Sequence, residues 1–301
     1  MRHLLNTLYV TTQGAYLARD GETVAVRVER ATRLRIPIHT LASIVCFGQV
    51  SCSPPLMQLC AERGVRISFL SEYGRFWARV EGPVSGNVLL RREQYRRSDD
   101  PCQSAAIARV VVTAKVANQR IVLLRALRDH PGMAGSTEVK GAADSLGRTL
   151  IMLQEEQSLD SVRGMEGDAA RRYFGVFDHL IVSRKGEFFF RERSRRPPLD
   201  NMNALMSFLY TLLVHDVRSA LETVGLDPAV GFLHRDRPGR PSLALDLMEE
   251  LRPVLADRLA LSLVNRQQIK GKGFKTTETG AVAMDDDTRK EVLIAYQKRK
   301  Q

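Results

Sequence analysis

Between Gly82 and Asn87 the hydrophobic period of this chain changes, and that change confines it to a small set of architectures. Before it, apolar residues alternate in short runs. LLNTLYV, AYLARDGETVAVRVE, LRIPIHTLASIVCFG, VRISFLS and RFWARVEG each read as strands. Asp20-Gly21 divides two such runs and predicts a tight hairpin. PPLMQLCAERG is the exception, with Pro55 near its start and Gly64 at its end, and predicts one short helix. After the change the period is helical. SAAIARVVVTAKVANQRIVLLRALRD reads as one long helix, PGMAGSTEVKGAADSLG as a loop with a short helical turn, and GRTLIMLQEEQ as helix again. SLDSVRGMEGDAARRYFGVFDHL and LDNMNALMSFLYTLLVHDVRSALETVG follow as helices, the second capped by Asp200. VLADRLALSLVNRQQI is a further helix, KGKGFKTTETGAVAMDDD a basic loop, and TRKEVLIAYQKRKQ a short final helix. Strands first and helices after define an α+β chain. The expected division is a small N-terminal β-sandwich-like domain over residues 1–86 and a larger all-α domain over 87–301, joined by the glycine-containing GPVSGN.

The charge balance narrows the partner. The 301 residues carry a net charge of +11, and lysine supplies only nine of the 45 basic residues. Such an excess favours a polyanion, and the planar guanidinium suits bidentate phosphate contacts. No apolar window is long enough to span a membrane, and the N-terminus lacks a secretory pattern, so no membrane partner and a cytoplasmic location are expected. The four cysteines form no CxxC pair and read as buried or half-buried thiols in a reducing compartment. No Walker loop, GxSxG or Rossmann fingerprint is present.

Chemistry concentrates in GFLHRDRPGRPSLALDLMEELRP, residues 231–253. His234 sits in an arginine-rich loop, and the helix after it places Asp246, Glu249 and Glu250 in its first turns. Carboxylates three apart share a helical face. Pro253 must end or kink that helix, because its ring clashes with the carbonyl of Glu249. Far upstream, Glu166 falls on the inward side of its helix, beside Val162, Ala169 and Tyr173. A carboxylate turned inward needs an arginine, a metal or a proton. Gly164 and Gly167 on either side suggest a close approach to the backbone. Glu166, His234 and the Asp246/Glu249 pair together suit one Mg²⁺ or Mn²⁺ held by two carboxylates and one imidazole. The bland alternative is a solvated acidic face with salt bridges from Glu166 to Arg163, Arg171 or Arg172. Arg235, Arg237 and Arg240 suit a phosphodiester, and Arg163, Arg184 and Arg191 are further candidates for DNA binding. Arg184 and Arg191 stand on either side of the three phenylalanines of KGEFFFRER, which suit either base stacking or the core, with core burial favoured for two of the three.

Three motifs resemble the CRISPR adaptation endonuclease-integrase ("Cas-one") family: RGMEGDAARRYF around Glu166, PPLDNMNALMSFLYTLL at 197–213, and the histidine loop with its acidic helix. The arginine-rich loop looks like the version found in type I-C systems. The resemblance covers essentially the whole chain. It implies Glu166, His234 and Glu249 as metal ligands, with Asp246 as a supporting acidic residue of the catalytic set. Aspartate is common at the third ligand position, where this chain has Glu249. It further implies a metal-dependent DNA enzyme in which a 3′-hydroxyl attacks a phosphodiester, joining captured DNA to the CRISPR array. The implied partners are double-stranded and branched DNA, a second copy of the chain, and a small second adaptation protein. The N-terminal domain would serve dimerisation and partner contacts. Two alternatives stand beside it: a non-catalytic basic DNA-binding scaffold, and an RNA-directed metal-dependent nuclease.

Overall fold

The alternating runs of the first part form two four-stranded sheets in the computed structural model, which describes residues 6–82, 87–195 and 197–300. The strands are β1 (Asn6–Val10), β2 (Tyr16–Asp20), β3 (Thr23–Val28), β4 (Ala31–Pro37), β5 (Leu41–Phe47), β6 (Ser51–Cys52), β7 (Arg66–Leu70) and β8 (Phe76–Val80). One sheet has the order β1-β5-β7-β8 and the other β4-β3-β2-β6. Asp20 pairs with Thr23 across a two-residue turn, and Gly21 supplies its positive φ of 61°. Helix α1 (Pro54–Glu62) starts at Ser53, whose hydroxyl accepts from the Leu56 amide. Leu17 and Val24 from one sheet, Ile44 and Ile67 from the other, and Leu56 and Leu59 of α1 share one core.

The α+β class and the order of strand-rich part before helical part therefore hold. The helices of the second part are α2 (Val88–Asp99), α3 (Pro101–Asp129), α4 (Ser136–Met152), α5 (Leu159–Gly175), α6 (Asn201–Thr223), α7 (Ser242–Leu251) and α8 (Arg258–Asn265). A hairpin of β9 (Phe274–Thr276) and β10 (Val282–Met284) and the last helix, α9 (Asp286–Lys300), complete the chain. By contacts the chain divides into two units, residues 1–85 with 289–301, and residues 86–288. Most of the expected linker, residues 83–86, lies outside the described residues, as do Leu4 and Leu5 of the first expected strand.

Several expectations need correction. Residues 136–147 are helix, not loop, because Gly141 and Gly147 sit inside α4 while Val139, Ala142, Ala143 and Leu146 bury one face. The basic loop before the C-terminus holds the β9–β10 pair, with Val282 opposite Thr276. Cys46 and Cys60 are buried, and burial pushes both thiols up to about 12, but Cys102 is exposed. Pro253 interrupts the acidic helix as expected: α7 stops at Leu251, and the chain widens into a π-helical turn over Arg252–Asp257 before it continues as α8. Two of the three adjacent phenylalanines, Phe188 and Phe190, are buried as expected and Phe189 is partly exposed, but their segment is neither strand nor helix.

Candidate metal and DNA site

All the groups that gather at the candidate site belong to the unit of residues 86–288. Helix α3 supplies the least expected of them. Asp100 caps it, accepting from the amides of Cys102 and Gln103 at 2.8 and 3.2 Å, and Pro101 opens its first turn. Its buried stripe runs through Val111, Val112, Val116, Val122 and Leu123. Lys115 lies on that stripe and is only 5% exposed. A buried ammonium is costly unless paired. Here Nζ contacts Glu166 Oε1 on α5 and lies 2.6 Å from Glu249 Oε2 on α7. One turn further along α3, Asn118 Nδ2 donates to the Glu250 carbonyl at 2.7 Å, fastening α3 to α7.

Glu249 is 2% exposed and sits between two cations. Arg252 Nη1 reaches its Oε1 at 2.5 Å, and Lys115 faces its Oε2. Burial raises the Glu249 carboxyl, but Arg252, Lys115 and His234 outweigh it and bring the group down to about 2. The carboxylate is thus ionised throughout the neutral range. Its Oε2 makes no aligned hydrogen bond despite the ion pair.

Asp246 holds the histidine loop. It is 1% exposed, and its Oδ2 accepts from the amides of Phe232 and Leu233 at 2.6 and 2.9 Å. Oδ1 accepts from the His234 amide at 3.0 Å and faces His234 Nδ1 at 2.6 Å. A carboxylate oxygen facing Nδ1 favours a proton on that nitrogen, and in a neutral imidazole this leaves the lone pair on Nε2. That Nε2 lies 4.0 Å from Glu249 Oε1. Arg163 braces the same loop, its Nε donating to the Leu233 carbonyl at 2.7 Å.

A third layer lies behind Glu249. The guanidinium carbons of Arg252 and Arg193 stand 5.0 and 5.2 Å from the Tyr210 ring centroid. Tyr210 donates to Asp257 Oδ1 at 2.6 Å, and Tyr173 donates to Oδ2 at 3.2 Å. Asp257 is fully buried; burial raises its carboxyl to about 6 against the lowering pull of both tyrosines, Arg252 and Arg193.

The structure therefore brings Glu166, His234, Asp246 and Glu249 into one cluster. Glu166 finds a lysine where the sequence offered three arginines. No described residue approaches Gly164 or Gly167 closely, since a Cβ at either would meet nothing within 4 Å. The candidate DNA contacts are scattered in role. Arg163 is bound to Leu233 and Asp160, and Arg184 to Glu187 and Gln267. Arg191 lies over the Phe189 ring. Arg235 is 73% exposed, with Asp160 Oδ1 at 3.7 Å, while Arg237 and Arg240 line a surface cleft with Arg218. Lys115 and Arg252 escaped the sequence reading. Lys115 had a signal, a lone lysine three and four residues after Val112 and Val111 on an apolar stripe. The donors Glu166, Glu249 and His234 Nε2 fit a hard divalent cation in chemistry. Among the described residues, however, no three such side chains form a ready-made cage.

These features define a class: an α+β protein of strongly basic composition with a partly buried carboxylate–histidine cluster in its helical unit. The chain matches the family of CRISPR associated protein Cas1 over residues 8–298, and it belongs to that family. It is 55% identical to the CRISPR-associated endonuclease Cas1 1 of Chlorobaculum tepidum over 301 residues, 100% of this chain and 88% of that protein. A solved CAS1 protein from Thermotoga maritima superposes with a TM-score of 0.84 at 26% identity, covering 98% of this chain and 90% of that one. A casposase bound to integration product shares the fold, with a TM-score of 0.82 at 22% identity, covering 98% and 82%. No described helix is long and apolar enough to cross a membrane.

Proposed function

We propose that this chain is a divalent-metal-dependent DNA endonuclease and integrase of CRISPR adaptation, of the type I-C kind. It joins fragments of foreign DNA to the array by attack of a 3′-hydroxyl on a phosphodiester. The observation that carries this reading is the geometry of His234, whose Nδ1 lies 2.6 Å from buried Asp246 while Nε2 faces Glu249 at 4.0 Å. A histidine needed only for packing has no use for that arrangement, whereas a metal ligand does. Glu166, Glu249 and His234 would hold Mg²⁺ or Mn²⁺. The bound ion would supply Lewis-acid stabilisation of charge developing on the phosphate oxygens. Asp246 fixes the imidazole tautomer, Arg252 keeps Glu249 ionised, and Arg235, Arg237 and Arg240 neutralise the DNA backbone. The partners in this reading are double-stranded and branched DNA, a second copy of the chain, and a small second adaptation protein.

Strand transfer on a branched DNA with Mg²⁺ or Mn²⁺ tests it, comparing the parent chain with Glu166→Ala. The expected outcome is joining by the parent, none after EDTA, and none by the variant. A second reading has one observation on its side: Lys115 and Arg252 already neutralise Glu166 and Glu249. On that reading the protein is a basic DNA-binding scaffold, EDTA changes nothing, and binding shows only a steep salt dependence.

A further inference from the structure

We propose that Lys115 is an internal competitor for the cation site: its ammonium and a divalent ion claim the same oxygens of Glu166 and Glu249, and the ion enters as Lys115 leaves. The inference rests on the metal reading above and goes beyond it. Nζ contacts Glu166 Oε1 and lies 2.6 Å from Glu249 Oε2. The other oxygen of Glu249 is already engaged by Arg252 at 2.5 Å. Oε2 is therefore the atom left to an incoming ion, and it is the atom Lys115 faces. A point within contact of both oxygens cannot hold an ammonium and a dication together, because their repulsion in a poorly solvated site is large.

Charge balance favours the exchange. With a neutral imidazole, the three carboxylates Glu166, Asp246 and Glu249 exceed Lys115 and Arg252 by one negative charge. A dication in place of the ammonium brings the cluster to neutrality. The lysine stem is flexible, and the open side lies toward Glu166, whose side chain is 26% exposed. Lys115 thus has two effects. It holds the carboxylates of α5 and α7 together, and it weakens the apparent affinity for the ion by the fraction of time it occupies the site.

The test is calorimetric titration of the full chain with Mn²⁺, parent against Lys115→Met, with amine labelling of Lys115 in the parent read by mass spectrometry. Lys115→Met is expected to bind Mn²⁺ at least about tenfold more tightly. In the parent, Lys115 is expected to be protected alone and labelled once Mn²⁺ saturates. The labelling arm separates displacement from a general charge effect, in which the ammonium would stay put. It needs no variant, and Lys115→Gln replaces Lys115→Met should the latter not fold. Equal or weaker Mn²⁺ binding by the variant overturns the proposal, as does a Lys115 that stays unlabelled with the ion bound. Mn²⁺ binding by neither chain would overturn the metal reading itself. Binding by the variant alone would support the competition in its strongest form.

Discussion

Replacing Asp246 with asparagine probes the link between the histidine loop and the acidic helix. The carboxylate accepts from four donors, two backbone amides on Oδ2 and the His234 amide and Nδ1 on Oδ1. An amide has one oxygen, so in either orientation two of these donors meet an NH₂ group instead. Hydrogen bonds to a charged partner are worth about 1.5–3 kcal/mol each, so the loss is about 3–6 kcal/mol before relaxation. Movement of the exposed stretch after His234 reduces that toward the lower figure. A folded domain has about 5–15 kcal/mol to lose, so Asp246→Asn folds but unfolds at distinctly lower urea. The chemistry suffers separately. If the new oxygen serves Phe232 and Leu233, the NH₂ points at Nδ1, which then accepts, and the proton moves to Nε2. That tautomer has its lone pair on Nδ1 and none on the Nε2 that faces Glu249, and Mn²⁺ affinity falls about 10–100-fold. Urea titration, nitrogen NMR of the imidazole and Mn²⁺ calorimetry read the three effects. Stability within about 0.5 kcal/mol of the parent, with the Nδ1–H tautomer and Mn²⁺ affinity unchanged, would refute the assignment of Asp246 as the residue that positions His234.

Two further substitutions test the surroundings. Gly231→Ala places a Cβ 2.7 Å from Asp246 Oδ2 and 2.8 Å from the Ser242 backbone carbon, neither of which can give way easily. It should cost about 1–3 kcal/mol in urea unfolding and lower strand transfer along with it, and a neutral outcome would show the loop to be looser than its hydrogen bonds indicate. Asp257 tests the third layer through pH. Its carboxyl is raised from 3.8 to about 6, so the folded chain holds the proton more tightly than the unfolded chain does. Its contribution is most favourable below the unfolded value and is lost as pH rises through that window, about 3 kcal/mol in all. Asp257→Asn keeps an acceptor for one tyrosine and removes the ionisation. Between about pH 4 and about pH 7 the stability difference should move in the variant's favour by about that amount, read from urea midpoints at each pH. A difference independent of pH would mean that Asp257 is ionised at no such cost.

The fold was legible where one local signal decided the outcome. Asp20-Gly21 gave the hairpin, Asp200 the start of α6, and the change of period the order of strands before helices. It was not legible where a local signal pointed one way and packing the other. Gly141 and Gly147 lower helix propensity by about 1 kcal/mol each, and the burial of Val139, Ala143 and Leu146 outweighs that. Pro253 is the sharper case. Its ring forbids the ordinary hydrogen bond to the helix behind it, yet the chain does not stop, because a π-turn tolerates the missing donor.

That turn also explains why the candidate site could be read only in part. Glu166, His234, Asp246 and Glu249 are residue types whose presence in an inward or clustered position asks for a partner, so the sequence reveals that partners exist. It does not reveal which ones. Lys115 arrives from α3, and Arg252 and Asp257 bracket the widened turn, one reaching back to Glu249 and the other across to Tyr210 and Tyr173. Had the chain turned away after Leu251 instead of continuing through the π-turn, no helical element would connect Glu249 to the tyrosine layer behind it. The proline thus marks the point at which the acidic helix is coupled to its support. Meanwhile Lys115, which contacts both Glu166 and Glu249, sits on a stripe that hydropathy alone reads as core.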